Sequence, residues 1–360
     1  MKGRTRGGVS RRAFAAACLV ALAACARSGG GSGAAAADPS PHHAGSVTVN
    51  GARLAYLDWG GRGPGLLLLH GLGDSPHVFD DLAPALTDHF YVVGLARRAH
   101  GRSERRGPYD VGTLVEDIRQ FLDSLGWRQV VFVGHSMAGS EMVRFAALYP
   151  ERVSRLVFLD AAYDYDGDAF TASLAHAPVA FDATPRESAS FEAFRTFLKD
   201  GNWPGLPWSP AMEATIRDVA VPRVDGGVDY VLNDTAVAGA FLRGLRGYRK
   251  EYARVRAPAL AIVAGMYPGA VLAPGASDSV QRRVATWIAS YARPFAEASL
   301  ARFRAEVRDA RVIEMPESNH YVFLQRPAAV IAAVRDFLAE TAPVRPPVMR
   351  PPARRAATAP

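Results

Sequence analysis

Ser136 stands in the run Gln129-Val130-Val131-Phe132-Val133-Gly134-His135-Ser136-Met137-Ala138-Gly139. An apolar stretch suited to a buried strand leads into a serine flanked by small residues, and a helical pattern follows at once. Such a turn lifts the hydroxyl above the edge of the sheet. Gly134 and Ala138, two positions to either side, must be small because the turn brings their Cα atoms close. The amino end of the next helix lies beneath, where its N–H groups favour the oxyanion of an acyl-transfer reaction. The strand-turn-helix context favours a nucleophile over a serine in an ordinary turn.

The elements that would position this serine alternate along the chain. Residues 47–49, Asn50-Gly51 and residues 52–57 read as a hairpin, with the Asn-Gly pair taking the positive φ angles of a tight turn. Residues 66–69 form a continuous apolar run, as a strand buried on both faces should. Residues 91–95, 130–133, 156–159, 260–263 and 312–315 repeat that character. Helical faces separate several of them: Leu114, Ile118, Phe121, Leu122 and Leu125 before Gly126; Met142, Val143, Ala146 and Ala147 before Pro150; and residues 329–338 behind Pro327. This order predicts an α/β fold, a mostly parallel central sheet flanked by helices. Residues 163–252 break the rhythm with aromatics, prolines and short helical pieces, and read as an insertion. A second irregular stretch, 266–310, carries a predicted helix over 279–292, interrupted near Pro294.

On these residues the chain resembles the α/β-hydrolase fold superfamily over about residues 46–340. Leu66-Leu67-Leu68-Leu69-His70-Gly71-Leu72-Gly73 matches the strand and His-Gly turn that members place before the oxyanion hole. The resemblance implies that the backbone N–H groups of Leu72 and Met137 receive the oxyanion, with His70 structural. Arg97-Arg98-Ala99-His100-Gly101-Arg102-Ser103 is similar to the family's Asp-x-x-Gly-x-Gly-x-Ser loop, with Ala96 and Ala99 at the usual acid and glycine positions. The nucleophile motif also departs, since Ala138 holds the usual second glycine position and Gly139 follows.

The family's histidine lies on the loop after the last strand. Here that loop holds Pro316-Glu317-Ser318-Asn319-His320, and His320 is the only histidine beyond His176. A neutral imidazole can take the serine's proton and return it to the leaving group. The family usually takes its acid from the loop after the seventh strand, where the first carboxylate is Asp278. Another family position is the end of the sixth strand, held by Asp160. Asp160 ranks first, Asp278 second and Asp164 third. Glu141 reads as a helix-face residue near the site. Residues 163–252 would form a helical cap between the sixth and seventh strands, with Trp203, Trp208, Phe191, Phe194 and Phe197 mostly in its core.

The implied chemistry is hydrolysis of an ester or related acyl or carbon–carbon bond of a small molecule, through an acyl-serine. Ser136 argues against the aspartate-nucleophile epoxide hydrolases and haloalkane dehalogenases. A cofactor-free haloperoxidase would share the triad. The absence of an acid directly after the seventh strand keeps a non-catalytic binding protein as the alternative from another class. No metal or organic cofactor is implied, since there is no His-x-x-x-His, dinucleotide or P-loop motif.

The chain has only two cysteines, Cys18 and Cys25, both in a leader, so no cysteine staple serves the folded part. Residues 1–25 read as a leader. A basic start with Arg11-Arg12 resembles a twin-arginine signal, and a short apolar run follows. Leu22-Ala23-Ala24-Cys25 resembles a bacterial lipobox, which implies acylation of Cys25 and a membrane partner through that anchor. Residues 26–45 read as a flexible linker and 341–360 as a disordered Pro/Arg tail. The expected location is the cell envelope, periplasmic or at the surface. The net charge of +7 gathers in the leader and tail, with no basic stretch interleaved with aromatics, so a nucleic-acid partner is not expected. Nothing in the sequence sets an oligomeric state.

Overall fold

The computed structural model describes residues 41–179 and 182–340. Contacts divide the chain into the units Met1–Asp38 and Pro39–Pro360, and every described residue lies in the second. The leader with Cys25, most of the linker and the tail lie outside the described residues. Among the described residues, no helix is long and apolar enough to cross a membrane.

Strands β1 (His43–Val49) and β2 (Ala52–Gly61) form an antiparallel hairpin. Its turn uses Asn50 and Gly51 at φ 46° and 72°, a left-handed pair that asparagine and glycine adopt readily. Next come β3 (Gly65–Leu69), β4 (Tyr91–Leu95), β5 (Val130–His135) and β6 (Val153–Leu159). A two-residue ladder, β7 (Val221–Pro222) with β8 (Val228–Asp229), stands apart from the main sheet. Strands β9 (Ala259–Ala264) and β10 (Ala310–Met315) complete the set. The main sheet has eight strands in the order β1-β2-β4-β3-β5-β6-β9-β10. From β4 onward every neighbour is parallel. Strands β3 and β5 are buried throughout, as parallel strands covered on both faces must be.

Helices α1 (Val111–Ser124) and α2 (Ala138–Leu148) cover the sheet. Asp110 caps α1 by accepting from the Thr113 N–H, and Gly126, at φ 71°, follows its end. Between β6 and β9 the chain leaves the sheet and forms α3 (Asp168–Ala175), α4 (Phe191–Phe197), α5 (Pro210–Val219) and α6 (Thr235–Arg246). These are the sixth and seventh strands of the main sheet. The small β7–β8 ladder in this insertion was not foreseen; each strand is two residues long, too short for a period-2 pattern.

The expected break at Pro294 is corrected. Helix α7 (Asp278–Trp287) passes through a π turn, Ile288–Ala292, directly into α8 (Arg293–Glu306). Proline has no N–H to donate, and the wide turn just before it absorbs the missing bond without ending the helix. Phe303 on α8 then packs against Phe158 of β6, with ring centroids 5.3 Å apart. A short helix α9 (Val322–Gln325) precedes α10 (Pro327–Ala339).

Candidate functional site

Ser136 follows β5 at a φ of 56°, in the left-handed region that few side chains occupy. Its N–H donates to the Leu159 carbonyl on the neighbouring strand (3.3 Å), and its own carbonyl accepts from Gly139 (3.1 Å). A Cβ on Gly134 would lie 2.9 Å from the Cβ of Ala138 and 2.2 Å from the sulfur of Met142. A Cβ on Gly139 would lie 1.9 Å from the carbonyl oxygen of Ala161. The second obligatory glycine has therefore moved one position along: Ala138 fits, buried, while Gly139 meets backbone.

Asp160 ends β6 next door, also left-handed, at φ 47°. Its N–H donates to Ile262 of β9 (2.7 Å). One carboxylate oxygen accepts from the Ala264 N–H (2.8 Å) and the Tyr163 hydroxyl (2.5 Å). The other accepts from Nδ1 of His320 at 2.6 Å. Burial and the Asp160 charge push the Tyr163 phenol well above its ordinary range, so it stays a donor. His320, on the loop after β10, has a side chain 43% exposed, against 4% for Asp160. Asp278 is exposed in the first turn of α7 and does not line the cavity that holds the other groups. Asp164 is paired with Arg302 at 3.0 Å.

Several groups at the site carried no local sequence signal. His135 is fully buried beside His320, with ring centroids 4.4 Å apart, and its Nε2–H donates to the His320 carbonyl at 3.1 Å. Burial holds the His135 pKa below its usual value. Asp74 accepts from the Tyr321 hydroxyl at 3.1 Å. Lys250 is buried behind β6, and its ammonium donates to the carbonyls of Ala161 (3.1 Å) and Tyr163. Burial lowers its pKa to about 7. Tyr165 is within hydrogen-bonding reach of Ser136, and burial raises its phenol pKa.

The turn at 70–74 rests on a second network. Glu141 is buried and paired with Arg97, Oε1 to Nε 2.5 Å. Burial raises the Glu141 pKa despite that partner. The Arg97 guanidinium also donates to the His70 carbonyl, and His70 Nε2 accepts from the Arg97 N–H (3.2 Å). Burial drives His100 down to about 3. It is therefore a neutral ring whose Nε2 accepts from the Gly73 N–H at 3.1 Å. Ala99, at the usual glycine position, has a φ of 62°, which explains why glycine suits it.

Ser136, His320, Asp160, Leu72 and Met137 all line one cavity of about 770 Å³. Its far walls come from the insertion and from the α7–π segment. Of the cap aromatics, Trp203 packs edge-on to Tyr321 (5.8 Å) and Phe194 against Tyr230 (5.1 Å); none of Phe191, Phe194, Phe197, Trp203 and Trp208 lines the cavity. Among the described residues one group has the composition to hold a metal ion. His42, His77 and Asp80 keep their ligand atoms within 4.8 Å of one another, outside this cavity.

Such an arrangement can move a proton between a hydroxyl and an imidazole whose tautomer is held by a carboxylate. Comparison with known proteins agrees with the architecture. A family model described as the alpha/beta hydrolase fold matches residues 64–327. An uncharacterized protein of Mycobacterium tuberculosis is 34% identical over 32% of this chain, a match that spans 33% of its own length. The 2-(acetamidomethylene)succinate hydrolase of Mesorhizobium japonicum is 26% identical, over 77% of this chain and 89% of its own. A crystal structure of E-2-(acetamidomethylene)succinate hydrolase superposes with a TM-score of 0.62 at 23% identity, covering 82% of this chain and 99% of that one.

Proposed function

The chain belongs to the α/β-hydrolase fold family, and from that premise we propose that it is a hydrolase that cleaves an ester of a small molecule through an acyl-serine. The observation that carries this reading is the 2.6 Å bond between His320 Nδ1 and Asp160, opening on the same cavity as Ser136. With Nδ1–H given to the carboxylate, Nε2 is the nitrogen left to accept a proton.

The Ser136 oxygen attacks the acyl carbon while its proton passes to His320 Nε2. The carbonyl electrons move onto oxygen, received by the N–H groups of Leu72 and Met137. When the carbonyl re-forms, the ester C–O bond breaks, the alcohol leaves with the proton from His320, and the acyl-serine remains. Water then repeats the sequence: its proton goes to His320, its oxygen to the acyl carbon, and Ser136 departs with the proton as the acid is released. Asp160 stabilises the imidazolium in both halves. The His135 bond to the His320 carbonyl supports the loop that carries the base.

The leader supports export, with acylation of Cys25 as the membrane anchor and a location in the cell envelope. The test of the catalytic reading is a fluorophosphonate probe on purified protein. Wild type should be labelled and Ser136→Ala should not. A folded wild type that takes no label would refute the reading and leave a binding protein in its place.

A further inference from the structure

Resting on that reading, we propose that the substrate is an uncharged ester rich in hydrocarbon, with an acyl part of medium chain length. Ser136, His320, Tyr163 and Tyr165 meet at the floor of the cavity, while Ser173, Asp182, Thr235 and Tyr267 are polar residues elsewhere in its lining. Most of the remaining wall is apolar, including Phe170 and Leu242 from the insertion and Trp287, Ile288 and Phe295 from the segment around the π turn. Even the indole N–H of Trp287 is committed, donating to the Ser173 carbonyl at 2.8 Å. That indole offers the cavity carbon surface. An ester group is matched at the floor, and the rest of the molecule meets hydrocarbon.

Charge narrows the class further. Among the described residues, no lysine or arginine lines the cavity, whereas Asp74, Asp160 and Asp182 do. Three of the cations close by are already engaged. Lys250 donates to the carbonyls of Ala161 and Tyr163 from behind the wall. Arg293 donates to the Met266 carbonyl at 2.9 Å, and Arg302 is paired with Asp164. A carboxylate on the substrate would lose its hydration here, meet no cation in the lining, and face the field of three aspartates. A volume of about 770 Å³ is ample for a chain well beyond acetyl.

The test uses the purified protein with 4-nitrophenyl acetate, butyrate, hexanoate and octanoate, and the 4-nitrophenyl monoester of adipic acid as the charged counterpart of the hexanoate. Each methylene buried in the transition state should raise kcat/KM about fourfold, up to the length that fills the cavity. The hexanoate should exceed the adipate monoester by about a hundredfold or more. Leu242→Arg, which puts a cation in the wall, should raise the charged-to-neutral ratio at least tenfold. The wild-type series decides the matter even if that variant does not fold. Acetate as the best substrate, or an adipate monoester within tenfold of the hexanoate, would overturn the proposal while fluorophosphonate labelling of Ser136 still stood. No labelling and no turnover of any ester would sink the hydrolase reading, and this proposal with it.

Discussion

Replacing Asp160 by asparagine tests the proposed mechanism at its most specific point. Asparagine keeps the volume and one oxygen. The Ala264 N–H, 2.8 Å from the carboxylate, can only donate, and the Tyr163 hydroxyl donates to the same oxygen. Those two donors pin the amide with its oxygen toward them and its NH2 toward His320 Nδ1. Facing a donor, Nδ1 must become the acceptor, so the proton moves to Nε2, and Nε2 can no longer take the proton of Ser136. A triad that loses its acid in this way falls by about 10⁴ in kcat, which is about 5.5 kcal/mol of transition-state stabilisation. Stability should change little, by about 1 kcal/mol, since only the bond to His320 is altered. The assay is steady-state hydrolysis of 4-nitrophenyl butyrate near pH 7.5, beside thermal unfolding of each variant. Asp278→Asn, exposed and outside the cavity, should stay within twofold of wild type. A loss of less than tenfold in folded Asp160→Asn would refute the assignment of the acid, and a matching loss in Asp278→Asn would transfer it.

Three further outcomes follow from contacts around the site. Gly139→Ala drives a Cβ to 1.9 Å from the Ala161 carbonyl, so urea unfolding should show a loss of about 1–3 kcal/mol, and ester turnover should fall because Ala161 adjoins Asp160. Arg97→Met strands the buried Glu141 carboxylate and should destabilise by about 3–5 kcal/mol. The double variant Arg97→Met, Glu141→Leu should recover at least half of that in the same urea titration. Lys250 has a folded pKa of about 7, below its ordinary 10.5. The unfolded chain therefore holds more protons between those values, and the contribution of this lysine to stability grows as pH rises from about 7 to 10.5. Unfolding free energies at pH 7, 8 and 9 should rise less steeply in Lys250→Met than in wild type, by up to about 1.4 kcal/mol per pH unit. Equal slopes would show that the amine is not depressed.

How much of this was legible in the sequence depended on how local each constraint is. The turn at Ser136 is encoded within a few residues, by an apolar strand running into small neighbours, and it could be read directly. The hairpin at Asn50-Gly51 was legible for the same reason. His320 was singled out through its place after the last strand. Asp160 could be ranked but not separated from Asp278, because the groups that gather around its carboxylate come from β9 and from the start of the insertion. Pro294 misled for the opposite reason: the usual rule that proline ends a helix holds only if the preceding turn is regular, and here a π turn precedes it. His135, Lys250 and Tyr163 were invisible as site residues. Each acts on the site from beneath or behind, through a partner that only the fold brings near.

The backbone itself marks the site. Among the described residues, four that are not glycine have positive φ: Asn50, Ala99, Ser136 and Asp160. Asn50 belongs to a tight turn that favours it, and Ala99 sits in the loop that follows β4, at the position where the family pattern it resembles has glycine. Ser136 has neither excuse, and Asp160, although aspartate tolerates this region better than most residues, stands at a strand end and not in a tight turn. The departure from ordinary backbone costs about 1–2 kcal/mol at Ser136 and less at Asp160, and such strain persists only where the surroundings over-determine it. Here the same hydrogen-bonding pattern does so twice: the Ser136 N–H donates to Leu159, and the Asp160 N–H donates to Ile262, each across to the next parallel strand. Neighbouring strands thus end in matching left-handed residues, one presenting a hydroxyl and the other a carboxylate to one cavity. A binding pocket alone would gain nothing from holding both in that geometry, whereas a nucleophile and the partner of its base would. The strain at Ser136 and Asp160 therefore argues for catalysis independently of the motif that first drew attention to the serine.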